Sequence, residues 1–275
     1  MTTLNNYYNF SKTPFSRSIP ADSLFPSRGH QEIQGRLAFA LSDRFPALIT
    51  GDIGTGKSTA LRAFVHSLDH NLHPLVYLSN PRLNTATLYS QILLALQVEP
   101  AHAFTRLLPQ LRDTLQNLAR KNRYPLLVID EAHLLPSELF DQLRFLLNDD
   151  FDANSLLTLV LVGQPDLTAK LRFAPYQALN QRIAVRYSLP PLDLEETAAY
   201  VKHHLKVATF GSPHESQQLF SDSFVASLHD HAKGVPRLIN NICRAALLLG
   251  ATENKQILDE TDLKRVLLDL NGQLD

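Results

Sequence analysis

The chain has 275 residues and a hydrophobic fraction of 44%, which is enough for one large α/β domain and a smaller second one. Its formal net charge of −1 gives no overall basic bias, so binding to nucleic acid or to a membrane would need a local patch or several subunits together. The single cysteine, Cys243, excludes an internal disulfide framework and is expected to be a buried apolar thiol. Because the sequence has neither a signal peptide nor an apolar stretch of the ~18 residues that a membrane span needs, we expect a soluble cytoplasmic protein with no membrane contact.

The first 27 residues are predicted to form an irregular arm. Prolines prevent a long helix here, whereas the aromatic side chains favour burial. We therefore expect the arm to wrap across the domain that follows it, with part of it near any nucleotide base bound there. The aromatic residues are Tyr7, Tyr8, Phe10, Phe15 and Phe25, and they alternate with Pro14, Pro20 and Pro26.

Residues 51–58 fit the pattern G-x-x-x-x-G-K-[ST], which is the phosphate-binding loop of nucleotide hydrolases. A short apolar run precedes the loop, and apolar residues at helical spacing follow it, as the motif requires. In such a loop the backbone N–H groups face anionic oxygens, Lys57 reaches the β- and γ-phosphates, and the Ser58 hydroxyl is a ligand of Mg²⁺. The side chain of Asp52 is expected to point away, since a carboxylate would repel the phosphates. The predicted ATP-binding residues are Gly51, Asp52, Ile53, Gly54, Thr55, Gly56, Lys57, Ser58 and Thr59.

Strand-like and helix-like segments alternate on both sides of this loop. Two alternations of strand and helix favour a parallel sheet with helices on both of its faces. The predicted elements are a helix at 31–41, a strand at 75–78, a helix at 87–96 and a helix at about 104–121.

A continuous apolar run at 126–129 ends in Asp130 and Glu131, as expected of a buried central strand whose carboxyl end meets a ligand. We predict that Asp130 holds Mg²⁺ through its water shell and that Glu131 orients and deprotonates the attacking water. Alone, the pattern also fits a strand that simply meets solvent. The four letters from Asp130 to His133 match a helicase signature, but such helicases resemble two tandem nucleotide-binding domains and this chain has room for one. His133 is predicted to be a capping or packing residue.

A helix is predicted to begin near Pro136, and the next strand is predicted at 156–162. The segment 163–166 ends that strand. Gln164 in that segment is placed to contact the γ-phosphate as a polar sensor. The alternative is an ordinary turn amide.

Two arginines bracket the junction between a short helix at 177–181 and a last strand at 184–189. In ring or filament ATPases an arginine at this junction reaches the γ-phosphate of the neighbouring subunit and raises the rate by about 10³ to 10⁵. Arg182 or Arg186 could serve, and either could instead be a salt-bridged surface residue.

Pro190 and Pro191 predict a domain boundary, because neither can donate a hydrogen bond inside a sheet or helix. Everything beyond them has helical spacing and predicts a small lid of four helices, which begin near 193, 222, 236 and 259. Arg237 lies at the start of the third of these helices, where it would sense the phosphates or pair with a surface acid. The predicted domains are the arm at 1–27, a nucleotide-binding domain at 28–190 and a helical lid at 191–275.

Taken together, these motifs resemble those of the AAA+ ATPases, and within them the ExeA-like group, which includes transposition helpers of the TniB, TnsC and MuB kind. The resemblance implies a P-loop AAA+ parallel sheet sandwiched by helices, with a small C-terminal all-α lid. It assigns Gln164 to sensor 1, Arg182 to the arginine finger and Arg237 to sensor 2, whereas spacing alone does not separate Arg182 from Arg186. The segments that carry the resemblance are 25–28, 50–58, 128–133, 161–165, 180–183 and 234–240.

The function that this resemblance implies is an Mg²⁺-dependent ATPase that forms a homo-oligomeric ring or filament on double-stranded DNA and partners a transposase. The secretion members of the group resemble an ATPase followed by a membrane span and a peptidoglycan-binding module, and this chain ends at Asp275 with neither, so we expect the transposition role. The alternatives are a secretion or cell-envelope ATPase that acts on a protein partner, and a scaffold gated by nucleotide. A basic cluster could line a DNA-binding pore, although a solvated face also explains it. It consists of Arg112, Arg120, Lys121 and Arg123.

Overall fold

The structure of the protein is a computed structural model that describes residues 4–79, 83–148, 155–209 and 218–271. The chain divides into two compact units. The first, here called the sheet unit, comprises Gly29–Ile53 and Lys57–Leu189. The second, here called the helical unit, comprises the N-terminal segment through Arg28, the short segment Gly54–Gly56 and the chain from Pro190.

The sheet unit is built on five parallel strands in the order β2-β3-β4-β1-β5. All residues of β1, β3 and β4 are buried, because these inner strands have covered faces on both sides, as their continuous apolar sequences predicted. The strands are β1 Ala47–Thr50, β2 Leu75–Leu78, β3 Leu126–Ile129, β4 Thr158–Gly163 and β5 Val185–Ser188.

Helices connect the strands and form the rest of the described structure. Among the helices of the sheet unit, α4 begins two residues before its predicted start, because the Asn84 side chain accepts a hydrogen bond from the Thr87 amide and caps it. In chain order, the α-helices of the described residues are α1 Leu4–Tyr7, α2 Arg28–Ser42, α3 Lys57–His66, α4 Thr85–Ala95, α5 Phe104–Ala119, α6 Ser137–Leu146, α7 Asp166–Lys170, α8 Gln177–Arg182, α9 Leu194–Thr209, α10 Asp222–Ala232, α11 Pro236–Thr252 and α12 Glu260–Asn271.

Alternate strand residues of the sheet unit pack into two separate apolar clusters. In β3, Leu127 and Ile129 belong to one cluster, whereas Leu126 and Val128 belong to the other. This alternation is the two-residue period of a strand, with one cluster on each face of the sheet. Both faces are therefore used for packing, and the polar residues collect where the strands end.

The helical unit has a core of its own, formed by α9 to α12 together with the N-terminal arm. Tyr8, Phe10 and Phe15 are buried in that core, and the Tyr8 hydroxyl donates a hydrogen bond to the Lys255 carbonyl at 3.1 Å. The prediction that the arm wraps across the nucleotide-binding domain is wrong for these aromatic residues, which instead complete the core of the C-terminal helices. Cys243 is fully buried in the same core, and burial raises the pKa of its thiol, so it is the inert apolar thiol predicted.

Within the described ranges, no helix is both long enough and apolar enough to cross a membrane. The assignment of the two regions as a nucleotide-binding domain and a lid stays a prediction.

Candidate nucleotide and magnesium site

The phosphate-binding loop joins β1 to α3, and the last loop residues lead directly into the first turn of that helix. Gly54 and Gly56 have φ angles of 85° and 103°, which side-chain-bearing residues rarely adopt. Lys57 is the first residue of α3, a helix of 10 residues. The N–H groups and the dipole at a helix N-terminus favour an anion such as a phosphate.

Lys57 turns its side chain back toward the start of the loop. Its ammonium donates hydrogen bonds to the carbonyl oxygens of Gly51, at 2.7 Å, and Asp52, at 2.9 Å. Only 9% of Lys57 is exposed, whereas Asp52 is exposed. The positive charge is thus held at the loop, where it can meet a polyphosphate, while the Asp52 residue faces solvent.

Asp130 follows β3 and is the most heavily hydrogen-bonded carboxylate of the site. Its Oδ2 accepts hydrogen bonds from the Ser58 hydroxyl at 2.9 Å and the Tyr77 hydroxyl at 2.8 Å, and its Oδ1 accepts one from the Glu131 amide at 2.9 Å. The residue is 6% exposed. The fold thereby brings together the two predicted magnesium ligands, Ser58 and Asp130, which lie 72 residues apart in sequence.

Tyr77 is a member of this site that the sequence analysis missed. Tyr77 is 44% exposed, but partial burial of its hydroxyl, followed by the hydrogen bond to Asp130, raises the pKa of the phenol above its usual range, so it stays a proton donor. It lies in β2, whose neighbour in the sheet is β3. The only signal in the sequence was a polar ring within the short apolar run of β2.

A hydroxyl and a carboxylate are a suitable protein ligand set for Mg²⁺. This ion is usually bound through one or two carboxylates together with substrate phosphates and water, not by a cage of protein side chains. Among the described residues no group of three or more His, Cys, Asp or Glu side chains is placed to hold a metal ion. Ser58 and Asp130 would hold Mg²⁺ here only together with a nucleotide.

Glu131 adopts a left-handed backbone conformation, with φ 53° and ψ 35°. Such a conformation is uncommon for a residue with a side chain, and it costs about 1 to 3 kcal/mol where the surrounding structure enforces it. The Glu131 side chain is 48% exposed. Its amide donates a hydrogen bond to Oδ1 of Asp130. The backbone therefore turns sharply between the two acids, and their side chains take different directions.

His133 lies in the short 3₁₀ turn Ala132–Leu134 and contacts both predicted catalytic side chains around it. Its Nδ1 is 3.5 Å from Oε2 of Glu131, and its Nε2 is 3.1 Å from Nε2 of Gln164. The Lys170 ammonium donates to the His133 carbonyl at 3.0 Å and holds the turn in place. Sequence reasoning assigned His133 to capping or packing, and it is indeed buried, but it also connects Glu131 to Gln164.

Gln164 reaches this position because β3 and β4 are adjacent parallel strands. The carboxyl ends of such strands lie at one edge of the sheet, so the residues that follow them become neighbours. The residue follows the end of β4, and its side chain contacts His133. Its role as a phosphate sensor stays a prediction.

The candidate arginines occupy different surroundings. Arg182 is the last residue of α8, is partly buried, and has Nη1 3.5 Å from the carbonyl oxygen of Arg144. Arg186 lies in β5 and donates to the backbone carbonyl of Asn180 at 2.6 Å and to its side-chain oxygen at 2.8 Å. Both arginines thus contact carbonyl oxygens of this chain, and the assignment of Arg182 rather than Arg186 as the finger stays a prediction.

Arg237, the predicted sensor 2, is the second residue of α11 in the helical unit. Its amide donates to the carbonyl of Gly54, at 3.2 Å. That hydrogen bond involves the Arg237 backbone, so the task of the guanidinium stays a prediction.

Comparison with known proteins finds similarity to an AAA domain. A family model described as an AAA domain matches residues 42–171. A curated relative, General secretion pathway protein A of Aeromonas hydrophila, is 34% identical over 270 residues, which are 97% of this chain and 48% of the relative. The chain thus spans about half the length of that relative.

Solved structures agree on the fold. Cdc6p from Pyrobaculum aerophilum has a TM-score of 0.68 at 17% identity and covers 92% of this chain and 69% of its own. Drosophila ORC bound to DNA has a TM-score of 0.68 at 18% identity and covers 93% of this chain and 64% of its own. The RuvB branch migration motor of Thermotoga maritima has a TM-score of 0.58 at 17% identity, with 88% of this chain and 69% of its own covered. At such identities the likeness concerns the fold, and it confirms the predicted parallel sheet with a C-terminal helical region.

Proposed function

We propose that this chain is an ExeA-like AAA+ ATPase and that hydrolysis takes place at the carboxyl end of β3. In this proposal Ser58 and Asp130 are the magnesium ligands and Glu131 is the general base. The observation that carries this assignment is the hydrogen bond between Ser58 and Asp130 beside the half-exposed Glu131. When bound, Mg²⁺ neutralises charge on the phosphate oxygens.

The side chains of the site have separate tasks in this proposal. Lys57, held at the loop by two carbonyl groups, moves its ammonium onto the β- and γ-phosphates. Glu131 accepts a proton from the attacking water, and its exposed carboxylate leaves room for that water. Gln164 donates from its amide to the γ-phosphate. Arg182 adds positive charge from the neighbouring subunit once ATP has joined the two.

The assignment of Glu131 is tested by Glu131→Gln, with the exposed Glu138→Gln of α6 as the matched control. Because the amide cannot accept the proton, turnover should fall by about 10² to 10⁴, while affinity for a fluorescent ATP analogue stays within a few-fold of the parent value. We also expect the variant to accumulate as the ATP-bound oligomer in size-exclusion chromatography with light scattering. An unchanged turnover rate would refute the role of Glu131.

The first candidate for the working partner is double-stranded DNA, on which an ATP-bound oligomer would serve as a transposition helper together with a transposase. DNA binding is supported at the level of the fold by two structural neighbours, Drosophila ORC bound to DNA and the ORC1 protein of Aeropyrum pernix in complex with DNA. The sheet unit also exposes Arg112, Arg120 and Lys121 along and just beyond α5. Subunits repeated in a ring would multiply that positive charge.

The second candidate is a protein partner in secretion or in the cell envelope. It is supported by the 34% identity to General secretion pathway protein A, which extends over 97% of this chain. Similarity over nearly the whole chain is a more specific observation than likeness of fold. In this case ATP turnover would remodel or assemble a protein complex, and the exposed basic residues would be a solvated face.

Fluorescence anisotropy of a labelled DNA duplex separates the two candidates. The protein is titrated with an ATP analogue or with ADP across a salt series, and Lys121→Glu is compared with Lys206→Glu, which changes the same charge on the helical unit. Binding that needs the analogue, weakens as salt rises and is reduced only by Lys121→Glu supports the DNA role, because phosphate contacts displace counterions. Absence of binding with intact ATPase activity favours the protein partner.

A further inference from the structure

The side chain of His133 is a buried polar group with one unsatisfied nitrogen. It is 8% exposed, and among the described residues its Nδ1 has no hydrogen-bond partner. A carboxylate oxygen of Glu131 lies 3.5 Å from that nitrogen. An unsatisfied buried donor costs about 1 to 3 kcal/mol, so a small movement of the half-exposed Glu131 carboxylate toward Nδ1 would be favourable.

The contact on the other side of the ring determines which nitrogen carries the proton. Nε2 of His133 is 3.1 Å from the amide nitrogen of Gln164. An amide nitrogen is a donor only, so the ring nitrogen that faces it must be the acceptor. A neutral imidazole with an unprotonated Nε2 carries its proton on Nδ1. That proton points toward Glu131, as a donor to a carboxylate should.

We propose that His133 is a positioning residue that transmits contact between Gln164 and the γ-phosphate to the general base Glu131. The amide nitrogen of Gln164 has two N–H groups, so one can donate to the phosphate while the other donates to Nε2 of His133. His133 then donates from Nδ1 to Oε2 of Glu131, which leaves Oε1 directed at the attacking water. No covalent bond is formed and no proton is transferred along the chain of hydrogen bonds.

This inference rests on the proposed roles of Gln164 and Glu131 and extends them to a residue that the sequence motif leaves without a task. In this arrangement the base Glu131 is oriented by His133, and His133 is itself oriented by Gln164, as in other sites where a catalytic base is held by a further group. The strained backbone of Glu131 is consistent with a side chain whose position matters for function. The hydrogen bond from Lys170 to the His133 carbonyl fixes the position of the turn, so the ring can act as a rigid link.

The kinetic test compares His133→Asn with His133→Leu in the full chain, with the exposed His70→Asn as the control. The amide of asparagine can place a donor where Nδ1 of histidine lies, whereas leucine places none there. We expect kcat to fall by about tenfold to a hundredfold in His133→Leu, as for a misplaced catalytic group, and to recover in part in His133→Asn. The KM for ATP and the thermal midpoint should be similar in both variants. A parental kcat in His133→Leu, or equal losses in the two variants, would overturn the proposal.

The spectroscopic test reads the ring directly. Long-range ¹H–¹⁵N spectra of histidine-labelled protein distinguish the two tautomers, and the His133→Asn spectrum assigns the His133 signals among the 11 histidines. With Mg²⁺ and a non-hydrolysable ATP analogue we expect the Nδ1–H tautomer. Binding of the analogue with His133 in the Nε2–H tautomer would overturn the link while leaving the ATPase assignment intact. Failure of the analogue to bind would overturn both.

Discussion

Protonation of His204 should destabilise the helical unit under mildly acidic conditions. This residue of α9 is 5% exposed, and its ring stacks on Phe15 of the N-terminal arm, with the ring centroids 5.2 Å apart. Burial, followed by the charge of the adjacent His203, lowers the pKa of His204 from 6.5 to about 4. The folded protein therefore keeps the ring neutral in a pH range where the unfolded chain takes up a proton.

The sign and size of the effect follow from this difference in pKa. Above pH 6.5 His204 is neutral in both the folded and the unfolded state, so the residue adds no pH dependence to stability. Between pH 6.5 and 4 the unfolded state binds more protons, so the stability of the fold decreases as the pH is lowered. Since one pKa unit corresponds to about 1.4 kcal/mol, the loss is complete below pH 4 at about 3 kcal/mol. At pH 5 it amounts to about 2 kcal/mol.

The assay is urea unfolding followed by far-ultraviolet circular dichroism at pH 7.5 and pH 5. His204→Phe keeps an aromatic ring against Phe15 and removes the titrating group, and His70→Gln removes an exposed histidine as the control. We expect the parent protein to lose about 2 kcal/mol more between the two pH values than His204→Phe does, and His70→Gln to behave like the parent. Equal pH dependence in the parent and in His204→Phe would show that the buried ring is not responsible.

Three further predictions concern the nucleotide site. Lys57→Ala should abolish binding of a fluorescent ATP analogue, since it removes the ammonium that is held at the loop carbonyls, and retained micromolar affinity would contradict this. Arg182→Ala should leave nucleotide binding intact but lower turnover of the assembled oligomer by about 10³ or more, whereas Arg186→Ala should mainly lower the thermal midpoint; the opposite pattern would make Arg186 the finger. Tyr77→Phe, which removes one hydrogen bond to Asp130, should cost about 1 to 2 kcal/mol in urea unfolding, and a loss below 0.5 kcal/mol would indicate that the hydroxyl is not bound in solution.

The sequence was sufficient for features that depend on local pattern. Residues 51–58 predicted a loop between a strand and a helix, because glycine, lysine and serine at that spacing are typical of a loop that needs positive φ angles at its glycines. The φ angles of Gly54 and Gly56 match this geometry. The apolar run before Asp130 predicted a strand buried on both faces, and β3 is such a strand. The longer helices were predicted from their spacing, with errors at their ends, where caps such as Asn84 decide the boundary, whereas the short helices α1 and α7 were not predicted.

What only the tertiary structure decided is which residues from distant parts of the chain meet. The strand order places β3 between β2 and β4, so Tyr77 reaches Asp130, and Gln164 reaches His133. No local pattern specifies that order, because it results from how the helices pack on the two faces of the sheet. The N-terminal arm is a second example. Its aromatic side chains predicted burial, but the sequence did not indicate which core they would enter. They pack into the core of the C-terminal helices, which has space of the matching shape.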